Sequence, residues 1–230
     1  MQLSSFFYSV YNKVRRDFYL RRFTRDPNCA DAKSIFSFYY DKNLFGSKDS
    51  LSGTGSSLEA TRTIRTYLPG LLADLGAKKI LDVPCGDFFW AKELDWSGLD
   101  YTGADVVEAL VAANNEKYGR DNIRFKVLDI LTDNLPEADL ILCRDLFIHF
   151  PNECVLKALG RIKASGAKYL LTTHYAGVEE NKDITLGSFR PLNLQRAPFF
   201  LPSPDRTLSD GDYLNLWART LSLWPVKDLP

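Results

Sequence analysis

A doubly wound α/β architecture is expected for this chain: a mostly parallel sheet, an antiparallel last strand and helices on both faces. Three observations point to it. From Lys78 to His174, short apolar runs alternate with segments of helical period. The first run, in KKILDVPCGDFFW (78–90), breaks at a tight turn, Pro84-Cys85-Gly86-Asp87. Aspartates stand at or near the ends of four successive runs: Asp82, Asp105, Asp129 and Asp145. In sheets of this type, ligands bind at the carboxyl ends of the strands.

The elements follow in order. Residues 1–50 form a lead-in, and residues 51–230 form the domain. Within 1–25, Lys13, Arg15, Arg16, Arg21, Arg22 and Arg25 stand against Asp17 alone, and Phe7, Val10, Tyr11, Val14 and Phe18 recur at helical spacing. Two readings stay open for this basic amphipathic helix. It clasps its own domain, or it docks peripherally on an anionic membrane surface. It does not make a convincing signal peptide, because the charges follow the apolar residues. Ser56 and Glu59 make a capping box for a helix through Leu58, Thr61, Ile64, Leu68, Leu71, Leu72 and Leu75, with Gly76 as its stop. A strand at about 79–83 and a short helix at about 87–94 follow. DYTGADV gives strand two, VEALVAANNEKYG a helix, IRFKVLDI strand three and ADLILCRD strand four. Pro151 opens a helix at its first position, and AKYLLTTH is strand five. The tail, rich in proline and aromatics, supplies one or two last strands from YLNLWARTLSLWPV.

Composition narrows the function. The chain has 230 residues, enough to bury a core as one domain with extensions, and a formal net charge of zero, so no global field favours nucleic acid. The four cysteines make no C-x-x-C pair, and Cys85 and Cys143 lie in apolar runs. They read as reduced thiols of a cytoplasmic protein. With two histidines, His149 and His174, no metal cluster is expected. No apolar run approaches the roughly 20 residues of a membrane span.

The strand ends carry the chemistry. Asp105 lies 19 residues after Gly86, close to the spacing of a ribose-binding acid, and its oxygens can accept both ribose hydroxyls. Gly86 lets backbone approach a ligand. Asp87 repels a pyrophosphate but tolerates a sulfonium with an amino group. Together these favour S-adenosylmethionine over NAD or ATP.

LDVPCGDFFW, YTGADVV, FKVLDI and LILCRDLFIHF resemble motifs of class I S-adenosylmethionine-dependent methyltransferases, whose Rossmann-like sheet the pattern above matches. More narrowly, the chain resembles a bacterial and viral subgroup with D-x-P-C-G-D as its first motif. SGTGSSLE and the Arg190–Leu194 segment RPLNL match that subgroup too. The likeness covers roughly residues 40–228. It implies that Asp82 and the Pro84-Cys85-Gly86 turn face the methionine end of the cofactor. Asp105 would hold the ribose, and Asp129 with the Ile130 backbone the adenine. Either Gly53, Gly55 and Ser56 close over the cofactor's carboxylate, or Arg144 neutralises it.

Methyl transfer to a hydroxyl needs a base, and the candidates are His149, Asp145 and His174. A four-residue spacing stacks Asp145 and His149 on one face if that segment is helical. Arg190 and Asn193 are candidates for hydrogen bonds to a polyhydroxylated acceptor, and Phe189, Phe199 and Phe200 for stacking. Some relatives are associated with surface-glycan synthesis, which makes O-methylation of a sugar, glycan or other small hydroxylated acceptor the leading reading. A protein methyltransferase and a non-catalytic scaffold are the alternatives. The Asx-Pro-Pro-aromatic motif of DNA amino-methyltransferases is absent at strand four.

Overall fold

A computed structural model of the chain describes residues 31–45, 47, 49–210 and 218–230. The basic helix expected within residues 1–25 lies outside the described residues. Seven strands form one sheet among the described residues: β1 Lys79–Asp82, β2 Asp100–Asp105, β3 Ile123–Val127, β4 Leu140–Cys143, β5 Tyr169–Tyr175, β6 Arg206–Ser209 and β7 Arg219–Pro225. Their order is β3-β2-β1-β4-β5-β7-β6. The first five run parallel, and β7 is antiparallel to both β5 and β6. The expected doubly wound sheet with an antiparallel end is therefore present.

Helices α1 (Ala32–Asp41), α2 (Arg62–Asp74), α3 (Glu108–Tyr118) and α4 (Asn152–Ala164) cover it. Alternate side chains of a strand point to opposite faces, and two cores result. Leu81, Ile141 and Leu170 pack with Val155, Leu159 and Ile162 of α4 on one face. Ile80, Leu140, Leu142 and Leu171 pack with Ile64, Leu68 and Leu72 of α2 on the other. With both faces covered, β4 is buried throughout, as its unbroken apolar run requires.

Local expectations fail in three places. Ser56 does not cap a helix; it ends a short 3-10 turn at Thr54–Ser56, and α2 starts only at Arg62. No helix spans 87–94; turns lead to a 3-10 turn at Ala91–Glu93. Pro151 is the cap of α4, not its first residue, and the Asp183 carboxylate accepts the Asn152 N–H at 2.8 Å. The YLNLWARTLSLWPV tail yields β7 from Arg219, while its residues 213–217 lie outside the described ones. Among the described residues, no helix is long and apolar enough to cross a membrane.

Candidate active site

β1 ends at Asp82, which is buried and accepts a 2.6 Å hydrogen bond from the Tyr101 hydroxyl. Burial pushes its carboxyl up to about 7, against the pull of Tyr101 and Arg144. The chain then turns through Pro84 and the buried Cys85 to Gly86, whose φ of 54° favours glycine. The Gly86 N–H donates to Asp105 Oδ2 at 3.2 Å, and the Val107 N–H donates to Oδ1 at 3.1 Å. Asp105 is buried at the end of β2, and burial raises its carboxyl to about 6 although these amides oppose it. From α3, Asn114 Nδ2 donates to the Gly86 carbonyl at 2.8 Å. Asp129 follows β3 instead of ending it. It is half-buried beside the buried Ile130, and it accepts the Leu131 N–H at 2.8 Å. Because β1, β2 and β3 are parallel neighbours, Asp82, Asp105 and Asp129 follow the same ends of adjacent strands.

The lead-in crosses this turn. A Cβ on Gly86 would sit 2.1 Å from Ser52 Oγ, so the group this glycine admits is the Ser52 hydroxyl. The Asp87 carboxylate, expected to face a ligand, anchors that crossing. It accepts Ser50 Oγ at 3.0 Å, Ser52 Oγ at 3.1 Å and the Leu51 N–H at 2.7 Å.

The fourth strand-end aspartate belongs to a different cluster. Arg144 is buried and donates to Asp210 through Nε at 3.1 Å and Nη2 at 2.9 Å, and through Nη2 to the Gly55 carbonyl at 2.8 Å. Asp145 accepts Arg219 Nη2 at 2.8 and 2.6 Å and Thr173 Oγ1 at 3.1 Å. Arg219 also lies 3.0 Å from Asp210. Two guanidiniums thus face two carboxylates. Burial alone would raise the Asp145 carboxyl, but Arg219 and then Arg144 outweigh it and hold it down at about 2. Arg144 therefore has its charge matched within the protein; neutralising a cofactor carboxylate is one of the two readings the sequence leaves open. Gly55 and the buried Ser56 belong to the turn it holds. Asp145 is an ion-pair partner in this cluster.

The remaining candidates separate clearly. Asp145 has φ of 60°, so the chain leaves helical geometry there before the 3-10 turn at Phe147–His149. The helical stacking expected for Asp145 and His149 is therefore replaced by this turn, although the His149 charge still helps to lower the Asp145 carboxyl. Instead, His149 Nδ1 lies 2.7 Å from the Ser188 carbonyl. Its half-buried ring contacts both Phe45 and Phe189, at centroid distances of 5.0 and 6.0 Å. His174 is 2 % exposed, packs edge-on against Trp224, and accepts the Leu194 N–H on Nδ1 at 3.2 Å. Burial lowers it to about 4, which favours the neutral ring in this core position. Arg190 is buried and donates to the Phe150 carbonyl at 2.6 Å and Asn152 Oδ1 at 2.7 Å. Asn193 is also buried. Its Nδ2 donates to the Val178 carbonyl at 2.7 Å and the Ala176 carbonyl at 3.2 Å. Both hold loops together and are spoken for within the protein, not presented to an acceptor.

Asp210, Arg219, Thr173 and Phe45 were not singled out from sequence. The one available signal was Arg219, a charge at the head of the alternating strand-like run TLSLW.

No protein-family model matches the chain. A ubiquinone biosynthesis O-methyltransferase from Coxiella burnetii (strain RSA 493 / Nine Mile phase I) is 32% identical over 104 residues, covering 43% of this chain and 44% of the relative. The match thus spans less than half of that relative's length. A protein of the same name from Pseudomonas syringae pv. tomato is 25% identical over 169 residues, 68% of each chain. Among solved structures, magnesium protoporphyrin IX methyltransferase from Synechocystis PCC 6803 with bound S-adenosylmethionine superposes with a TM-score of 0.53. It shares 16% identity, covering 84% of this chain and 96% of that one. Sheet order, strand direction and this superposition agree: the chain has the fold of the class I S-adenosylmethionine-dependent methyltransferases.

Proposed function

We propose that this chain is an S-adenosylmethionine-dependent O-methyltransferase acting on a sugar, glycan or other small hydroxylated acceptor. The observation that carries the reading is the carboxylate rim, Asp82, Asp105 and Asp129, built around the Gly86 turn. The donor set fits the cofactor. Asp105 accepts backbone amides on both oxygens, and a carboxylate's four lone-pair sites leave room for a ribose hydroxyl. Asp82 suits the amino group at the methionine end, and Asp129 with the Ile130 backbone suits the adenine. When bound, the cofactor supplies a methyl carbon already activated by a sulfonium.

The chain's own task is to orient the acceptor and take its proton. His149 is our candidate. A carbonyl only accepts, so the contact with Ser188 places a proton on Nδ1 and fixes the ring's orientation. The names of the Coxiella and Pseudomonas relatives support oxygen as the methylated atom. The glycan preference rests on the sequence resemblance.

Calorimetry with S-adenosylhomocysteine and NAD tests the cofactor half. S-Adenosylhomocysteine should bind and NAD should not. Asp105→Ala should weaken binding, with roughly 1.5–3 kcal/mol per charged hydrogen bond as the upper guide. Wild-type protein indifferent to S-adenosylhomocysteine would refute the reading. For the acceptor half, labelled methyl should pass from S-adenosylmethionine into polysaccharide or small-molecule fractions of cell material. Label confined to protein would establish a macromolecule methyltransferase instead. His149→Ala should keep S-adenosylhomocysteine affinity and lose about 10²–10⁴-fold in turnover.

A further inference from the structure

Asp82 carries a buried carboxyl whose charge the protein leaves unmatched. Asp145 and Asp210 each have a guanidinium against them. Among the described residues, no arginine or lysine lies within ion-pair distance of Asp82. Arg144, the cation that acts on it from the end of β4, is committed to Asp210. Asp105, at the end of β2, adds a like charge. The remaining titratable neighbours are the Cys85 and Cys143 thiols, which burial pushes well up.

One hydrogen bond holds the group. The Tyr101 hydroxyl donates to Asp82 Oδ2 at 2.6 Å. Tyr101 lies beside Ile80 in the β1–β2 register, and Asp82, two residues on, shares the face of Ile80. The Tyr101 ring is fully buried, with centroids 4.4 Å from Trp96 and 5.1 Å from Phe88. The donor is therefore fixed, and it fixes the carboxyl. A carboxylate has about four lone-pair sites, so acceptor capacity remains beyond this bond.

We propose that Tyr101 is a positioning residue of the cofactor site, and that Asp82 gives up a proton to solvent when it takes the ligand's ammonium. Asp82 keeps the O–H electron pair, solvent takes the proton, and the carboxylate pairs with the ammonium. Burial raises the free carboxyl to about 7, although Tyr101 and then Arg144 pull it down, so the exchange falls near neutral pH. The inference rests on the methyltransferase reading above and deepens it by naming how the methionine end is held.

Calorimetry on full-length protein tests this with two ligands: S-adenosylhomocysteine, and methylthioadenosine, which keeps the nucleoside and lacks the amino acid. In the wild type, S-adenosylhomocysteine affinity should rise with pH through about 7 and then level off. Methylthioadenosine should show only the Asp105 limb near 6. At pH 6.5, buffers of different ionisation enthalpy should show S-adenosylhomocysteine releasing roughly three quarters of a proton more than methylthioadenosine. Tyr101→Phe keeps the packed ring and removes the donor. Its S-adenosylhomocysteine midpoint should move up by about one pH unit. That weakens binding about fivefold at pH 7 and hardly at all at pH 8.5. Methylthioadenosine affinity should not change in the variant. The proposal is overturned if both ligands release equal protons, if the Tyr101→Phe midpoint stays in place, or if that variant weakens both ligands alike at every pH. Should the variant fail to fold, the proton count on the wild type decides. Wild-type protein that binds neither ligand would instead refute the underlying methyltransferase reading.

Discussion

Replacing Asp210 with Asn should destabilise the protein far more than removing an exposed ion pair. The Asp210 side chain is 1% exposed and accepts Arg144 Nη2 at 2.9 Å and Arg219 Nη2 at 3.0 Å, with Arg144 Nε at 3.1 Å. Asparagine preserves the shape but leaves two guanidiniums facing the single carboxylate of Asp145. At about 3 Å and an effective dielectric near 20, one unit pair interacts by roughly 5 kcal/mol. Removing one partner of a buried pair typically costs about 3–5 kcal/mol, a large part of a total stability of about 5–15 kcal/mol. With a urea slope of about 1–3 kcal/mol per molar, the unfolding midpoint should fall by roughly 2 M. Tryptophan fluorescence in a urea titration at pH 7 reads this directly. Lys33→Ala, which breaks an exposed pair with Glu108, is the control and should leave the midpoint in place. A loss below about 1 kcal/mol at an unchanged slope would show that the cluster is not a closed charge balance.

Three further outcomes follow from the same geometry. S-Adenosylhomocysteine affinity should weaken as pH falls through about 6, because protonating Asp105 removes a hydroxyl acceptor; flat calorimetric affinity between pH 5 and 7.5 would exclude Asp105 from the contact. The depressed Asp145 carboxyl contributes stability fully present above its unfolded value of 3.8 and lost as pH falls through about 2. This is on the order of 2 kcal/mol, and Asp145→Asn should abolish that acid-limb loss in denaturation curves taken between pH 4 and 2. Gly86→Ala should disturb the first turn, since its Cβ would meet Ser52 Oγ at 2.1 Å; unchanged thermal stability would mean that the 50–52 crossing shifts freely.

The parallel sheet was legible because it is written in local pattern. Each apolar run is as long as a buried strand, and the acids mark where the strands finish. The rim acids Asp82 and Asp105 were legible for the same reason. What escaped was set by long-range pairing. Asp145 and Arg219 are 74 residues apart, and Arg144 and Asp210 are 66 apart; no local spacing links them. The Ser56–Glu59 capping pattern is unused; the chain there makes a 3-10 turn whose Gly55 carbonyl accepts Arg144, 89 residues away. His174 misled because all of β5 from Leu170 to Tyr175 is buried. A strand covered on both sides offers no solvent face from which to judge a histidine. Arg190 and Asn193 looked like recognition groups by residue type, but loops without regular secondary structure need such side chains to bond their own backbone.

The reversed direction of β7 has a practical consequence. Its first residue, Arg219, lies beside Tyr175 at the end of β5, while its last, Pro225, lies beside Tyr169 at the start. At about 3.4 Å per residue, the strand carries the chain roughly 20 Å away from the ligand edge before Pro230. A tether or affinity label fused at residue 230 would therefore emerge on the far side of the sheet, and protein immobilised through it would keep the carboxylate edge turned toward solution.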